Sequence, residues 1–343
     1  MGVWALARSR SRRVAATMVS RVTSGRGASV VMAGVGLLTG SAAPVLAAPG
    51  EPGEPGALSP AGDAAPGFDR LAVVGVWIVI ALVTLVVLAK RGALSPRRLR
   101  EGRSRDPAGA PASLWLGAGF GLFLLWRIGT ASGVSLAAAA GEPTAGLGAS
   151  AGAMWAGHAL VLSAVGALVF SRRVRRGATR AGLVIAPRDG LVGLGALLLA
   201  AGPVLATLNL SALIRDALAG EPAGPVAHDF LAAMIREPGT PAWWAALAAV
   251  ALATPIVEEL IHRGLIQTGV LSATGSPALA VVVSAAFFAS IHLGAADAAA
   301  IPGLFVFALG LGLAFERTGR LGVPIVMHAL FNAGMVAAAH LAG

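Results

Sequence analysis

The sequence has no cysteine. Disulfides, a cysteine nucleophile and cysteine metal ligands are therefore excluded. It has no tyrosine either, so no tyrosine can serve as a catalytic acid. Charge is scarce: Asp, Glu, Lys and Arg make up 12% of the 343 residues, against about 25% in an ordinary soluble chain. Apolar side chains take their place. Hydrophobic residues account for 56%, where about 45–50% is usual, and the mean hydropathy is +0.79. They fall in blocks of about 18–20 residues, long enough to cross a bilayer core of about 30 Å. Abundant Gly and Ala suit the close approach of helices in a membrane.

The net charge is +10, unevenly spread. Of the 26 Lys and Arg, 19 lie in three stretches: Arg8 to Arg26, Lys90 to Arg105 and Arg172 to Arg188. Each stretch borders an apolar block. That pattern is the enrichment of Lys and Arg in cytoplasmic loops of membrane proteins, so the expected partner is the lipid bilayer and not nucleic acid.

Residues 1–48 read as a signal-like or signal-anchor segment. An Arg- and Ser-rich start is followed by a small, apolar stretch ending Val45-Leu46-Ala47-Ala48-Pro49, the order of a signal peptide; a start at Met18 or Met32 is an alternative. Residues 49–70 form a Pro- and Gly-rich linker. Eight apolar blocks follow, at 71–89, 112–129, 152–170, 190–210, 242–262, 277–294, 299–315 and 321–341. The fold class expected is an all-α, polytopic transmembrane helix bundle of about eight spans, nine if residues 28–48 are retained. The basic loops after the first and third blocks are then cytoplasmic, Arg317 and Arg320 fall on the same side, and the C-terminus is outside. The pattern suits a bacterial inner membrane, the favoured location, and the endoplasmic reticulum as well. Four spans make an N-terminal region, 71–210. An extramembrane segment, 211–241, carries a short amphipathic helix at 226–236, ended by Pro238 and Pro241. The last part, 242–343, is the expected catalytic core. Trp115, Trp243 and Trp244 are expected as lipid-facing anchors near block ends.

Ionisable groups are costly inside spans, about 2.5–3.5 kcal/mol at a helix centre. The late blocks nevertheless carry them in an ordered way. The fifth contains Pro255-Ile256-Val257-Glu258-Glu259-Leu260-Ile261-His262-Arg263-Gly264. On a helix, Glu259 and Arg263 are neighbours, as are Glu258 and His262. Adjacent residues point about 100° apart, so one acid can pair with Arg263 while the other faces a cavity. The sixth block carries Phe288 and His292, and the eighth carries His328 and Asn332 on one face. Together these are an acid, two imidazoles and an amide on three spans. A carboxylate can take a proton from water, and donors can stabilise the oxyanion of a tetrahedral intermediate.

Glu-Glu-x-x-x-Arg, then Phe-x-x-x-His, then His-x-x-x-Asn on successive late spans resembles the motif set of the CPBP family, the CAAX-protease and bacteriocin-processing intramembrane endopeptidases. The stretch Phe315-Glu316-Arg317-Thr318-Gly319-Arg320-Leu321 is also similar. The resemblance covers about the last 100 residues. It implies Glu258 as general base, holding the attacking water with His292. It implies His328 and Asn332 as oxyanion donors, and Glu259 with Arg263 as a buried ion pair that shapes the site. Substrates implied are peptides or membrane proteins, lipidated CAAX tails or peptide precursors among them. His262 stands where the family usually has an aromatic residue.

A zinc version stays open: Glu258, His292 and His328 supply a three-ligand set with water as the fourth ligand. No cofactor is the favoured reading, because no His-Glu-x-x-His is present. Gly-x-Ser-Gly and paired span aspartates are also absent, and Asp297 reads as a loop residue. A non-catalytic scaffold or immunity factor and a transporter are the rivals from other classes. His158, His228 and His340 are expected at interfaces. Rigid, untilted helices would put His328 and His292 at depths differing by about 12 Å. The site closes only if spans tilt or if 264–276 dips into the membrane.

Overall fold

The computed structural model describes residues 67–101, 105–107, 109–141, 143, 146–219 and 229–342. The signal-like segment, most of the linker and His228 lie outside these residues. Eleven helices carry the described chain: α1 Gly67–Lys90, α2 Pro96–Glu101, α3 Ala112–Ala139, α4 Leu147–Val169, α5 Arg172–Arg180, α6 Asp189–Ala219, α7 Asp229–Arg236, α8 Pro241–Thr274, α9 Pro277–Ser290, α10 Ile301–Thr318 and α11 Gly322–Ala342. There is no strand among the described residues. Seven helices are long and apolar enough to cross a membrane, namely α1, α3, α4, α6, α8, α10 and α11. The chain is thus an integral, multi-pass membrane protein with a helical bundle.

The sixth apolar block, 277–294, behaves differently. Helix α9 has only 14 residues, about 21 Å at 1.5 Å per residue, which is short of a bilayer core. It ends at Ser290, so His292 sits in the turn beyond it and not within a span. Other boundaries also move. Helix α1 starts at Gly67, inside the expected linker, and α6 runs on through residues 211–219, the start of the expected surface segment. Helix α3 continues to Ala139, ten residues past its block.

Helix α8 is the hub. In its most apolar window 44% of residues are buried within the protein, against 11% for α1, which lies at the edge. It packs on α3, α4, α9, α10 and α11. Two stretches of α8, Ala249–Ala253 and Leu260–Gln267, are π-helical, a form found mostly as single turns at functional sites. Pro255 gives a local cause for the first: it has no N–H to donate back into the preceding turn.

Small residues let helices meet. A Cβ on Gly129 of α3 would lie 2.8 Å from the Cα of Gly157 on α4, so only hydrogen fits at that crossing. At the other end of the bundle, Arg317 donates to the carbonyls of Gly92 and Ala93. Nearby, Arg320 pairs with Asp189, which also accepts from the Ala186 amide. The basic loops and Arg317/Arg320 therefore gather at one end, as the charge pattern requires.

The tryptophans divide. Trp244 is exposed, as a lipid anchor should be. Trp115 is buried and donates to the Pro107 carbonyl at 3.3 Å, and Trp243 packs on the His340 ring. Neither is a lipid-facing anchor. Pro241 does not end the short amphipathic helix but opens α8, behind Thr240, whose hydroxyl accepts from the Trp243 amide.

Candidate active site

Glu258, Glu259, His262 and Arg263 are all buried on the middle of α8. Helix periodicity gives the first contact: Arg263 Nη1 donates to Glu259 Oε1 at 3.0 Å, four residues back. Both side chains are fully buried. The other side of the guanidinium donates to the Ala308 carbonyl at 3.1 Å and lies 4.8 Å over the Phe288 ring. The same carboxylate oxygen takes a second donor, His328 Nδ1 of α11, at 2.9 Å. A carboxylate oxygen accepts, so the proton sits on Nδ1 and the ring turns its Nε2 away from Glu259. That nitrogen is 3.9 Å from Glu258 Oε2.

His292 is oriented by the same logic. Its Nδ1 donates to the Phe288 carbonyl at 2.8 Å, which leaves Nε2 uncommitted. Phe288 spaces the set apart: its ring lies 4.7 Å from that of His292, 5.7 Å from His328 and 5.2 Å from His262. Asn332 Nδ2 donates at 2.9 Å to the Val250 carbonyl in the first π-helical stretch. Pro255 stands five residues after Val250, where a π turn would need an N–H, so the carbonyl it leaves free is taken by the amide of another helix. One amide hydrogen of Asn332 is then spent and one remains.

Glu258, His292, His328 and Asn332 line one cavity of about 400 Å3. Its other walls are largely apolar, with Trp126, Phe307 and Met335 among them, and Thr254 also lines it. Phe230, Leu231 and Met234 of α7 also face it, and Met234 is fully buried. The depth difference expected between His292 and His328 is absorbed by α8 and α9. Residues 264–274 continue α8 as helix. Glu258 lies about 24 Å along α8 before the Gly275 turn, and His292, just past the end of α9, about 22 Å after it, so they meet. His328 lies only about 9 Å from the start of α11, because the α8–α9 turn extends farther than the α10–α11 turn.

His262 is not part of the cavity lining. Its Nδ1 donates to the Glu258 carbonyl at 2.8 Å, and its ring packs on Phe287 and Phe288. It fills the space of an aromatic residue. The zinc set of Glu258, His292 and His328 does not form a cluster. Among the described residues, no three His, Asp or Glu side chains stand close enough to hold one ion.

The sequence reading missed a second buried polar group beneath the first. Gln267 Nε2 donates to the Gly312 carbonyl at 3.1 Å and to Glu316 Oε1 at 2.8 Å. Glu316 pairs with Arg105, whose Nη1 also donates to Thr268 Oγ1 at 2.7 Å. Gln267 lies four residues after Arg263, on the stripe that begins at Glu259, and this spacing was the available signal. His158 was expected at an interface. It is fully buried, against Trp126 and Trp155, with Nε2 3.1 Å from Thr254 Oγ1.

Comparison with known families bears on this geometry. Residues 240–334 match the family described as type II CAAX prenyl endopeptidase, Rce1-like. These residues form an Rce1-like domain. The match begins one residue before α8 and ends two residues after Asn332, so it contains Glu258, His292, His328 and Asn332 and the Glu259–Arg263 pair. It is consistent with the CPBP resemblance and supports a CAAX-type intramembrane protease. No curated protein and no solved structure matches the chain.

Proposed function

We propose that the Rce1-like domain hydrolyses peptide bonds near the membrane surface with a water activated by Glu258. The observation that carries this reading is that Glu258, His292, His328 and Asn332, from three segments of the chain, line one largely apolar cavity. Glu258 and His292 hold the water. Glu258 takes its proton as the oxygen attacks the carbonyl carbon, and the carbonyl becomes an oxyanion. The remaining amide hydrogen of Asn332 donates to that oxyanion. His328 donates from Nε2, which requires the imidazolium form, since Nδ1 already carries the proton shared with Glu259. Glu258 and Glu259 are its counter-charges. The intermediate collapses by breaking the C–N bond, and Glu258 returns the proton to the leaving amine.

The apolar walls support a substrate with a lipidated or apolar segment. CAAX-type tails come first, with peptide precursors and membrane proteins as further substrates. The bacterial inner membrane is the proposed location. A zinc-dependent route through Glu258, His292 and His328 is the competing mechanism, and a non-catalytic scaffold or immunity factor the competing function.

The test is cleavage of a fluorogenic farnesylated CAAX peptide by the purified protein in detergent. Wild type, Glu258→Gln and His292→Ala are compared, each with and without a strong chelator. Loss of a general base should cost about 10²–10⁴-fold, with chelator having no effect. Loss of activity with chelator and rescue by zinc would transfer the assignment to the metal route. Equal cleavage by wild type and Glu258→Gln would overturn the proposal.

A further inference from the structure

The wall of the cavity contains a polar contact that the proposed mechanism does not use. Thr254 lies on α8 one helical turn before Glu258, on the same face, and lines the cavity. Other helical threonines here turn their hydroxyls back to their own helix. Thr130, Thr207, Thr274 and Thr318 each donate to the carbonyl four residues earlier. This is the usual outlet for such a side chain. Thr254 instead bonds across to α4, where His158 Nε2 stands 3.1 Å from its Oγ1. The carbonyl four residues back, Val250, is held by Asn332.

His158 is built in for this contact. It is fully buried, stacked on Trp126 at 5.9 Å and met edge-on by Trp155 at 6.2 Å. Its Nδ1 is buried without a hydrogen-bond partner. An unmatched group of this kind costs stability and calls for an explanation. The neutral tautomer follows from the same atom. A proton on Nδ1 would be a buried donor with nothing to meet, and orphaned donors are rarer than under-used acceptors. The proton is therefore on Nε2, His158 donates to Thr254 Oγ1, and the hydroxyl hydrogen of Thr254 is left for the cavity.

We infer that Thr254 is a further substrate-binding residue of this cavity, donating its hydroxyl hydrogen to a peptide carbonyl, and that His158 is the positioning residue that aims it. The inference rests on the peptidase reading for its ligand class, a peptide backbone, but not on the chemical step. It explains why a buried histidine of α4 is paired with a half-buried threonine of α8 at the cavity wall. A carbonyl held one turn from Glu258 fixes the register of the substrate chain relative to the attacking water.

The test is binding, so that it stands apart from cleavage. The full chain in detergent, carrying Glu258→Gln, is titrated with a fluorescent farnesylated CAAX peptide and read by anisotropy. Thr254→Val keeps the branched shape and removes the hydroxyl. It should weaken binding about threefold to tenfold, the range of one net hydrogen bond. Thr254→Ser should restore it to within about twofold, on the same reasoning. His158→Phe keeps the ring stack, should weaken binding to a similar degree, and should add nothing on top of Thr254→Val. Should Thr254→Val not fold, Thr254→Ala carries the same expectation. Unchanged binding by the valine or alanine variant, or failure of serine to restore it, overturns the role of Thr254. Losses that simply multiply in the double variant overturn the role of His158. If the peptide binds as expected while Glu258→Gln cleaves like wild type, the catalytic proposal falls and the inference stands. If no peptide binds the parent protein, both fall.

Discussion

Glu259→Ala tests the centre of the site. A single carboxylate oxygen of Glu259 accepts from Arg263 Nη1 at 3.0 Å and His328 Nδ1 at 2.9 Å, and the Glu259 and Arg263 side chains are fully buried. Truncation leaves the guanidinium with the Ala308 carbonyl and the Phe288 ring as its named partners. Breaking a buried pair by removing one member costs about 3–5 kcal/mol. At the lower end of about 2–4 °C per kcal/mol, the thermal midpoint should fall by roughly 6–10 °C. Intrinsic tryptophan fluorescence in detergent reads this, at one fixed scan rate because unfolding of such a protein is operationally irreversible. Glu259→Gln keeps the acceptor oxygen and loses the charge, so it should show about half the drop, given that charged hydrogen bonds are about twice as strong as neutral ones. The double variant Glu259→Leu, Arg263→Met removes both charges and should recover most of the stability. It should not recover cleavage, because His328 has lost the acceptor that turns its Nε2 toward the cavity. A Glu259→Ala midpoint within about 2 °C of wild type, under 1 kcal/mol on the same scale, would refute the argument. So would a double variant as unstable as the single one.

Asn332→Leu should lower the cleavage rate by about 10²–10³-fold through loss of an oxyanion donor. It should also lower the melting point, since the Val250 carbonyl loses its partner at a cost of about 1–3 kcal/mol; rate and melting curve are measured on one preparation. His262→Phe should leave cleavage within about threefold of wild type and stability within about 1.5 kcal/mol, as a shape-conserving core swap does, because the ring serves as packing between Phe287 and Phe288. Gly157→Ala should destabilise by about 1–3 kcal/mol through overpacking, because a Cβ there meets Trp126 Cδ1 and its carbonyl oxygen at 2.8 Å. Gly152→Ala, with open space at its Cβ, is the matched control and should melt like wild type.

Much of the fold was legible because bilayer thickness acts on sequence directly. Each span must be an apolar block of sufficient length, and its basic flanks mark a side. The block at 277–294 shows where this stops. Its composition is that of a span, but the helix ends at Ser290 and the chain turns back through 291–297. That turn is held by a tertiary contact: Asp297, which caps the next turn by accepting from the Ala299 amide at 2.7 Å, pairs with Arg215 of α6 at 2.6 Å. Hydropathy carries no record of a partner that is 82 residues away. His158 was misjudged for a related reason. From sequence it is a lone histidine early in an apolar block, and its burial depends on the Gly129–Gly157 crossing and on two tryptophans from separate helices.

The sequence by itself determined what depends on spacing along one helix or on composition summed over a block. It determined that the chain is a membrane helix bundle, that Glu259 and Arg263 are neighbours, and that Glu258 points elsewhere. Those results follow from a repeat of 3.6 residues and a fixed rise, which every helix shares. Tertiary structure alone decided which carboxylate oxygen holds His328, where the Val250 carbonyl finds its donor, and that His262 faces aromatic rings while His158 faces Thr254. Each of these is a contact between segments far apart in the chain. It is set by how closely two helices approach and how each is rotated, and neither quantity is encoded in the periodicity of a single helix.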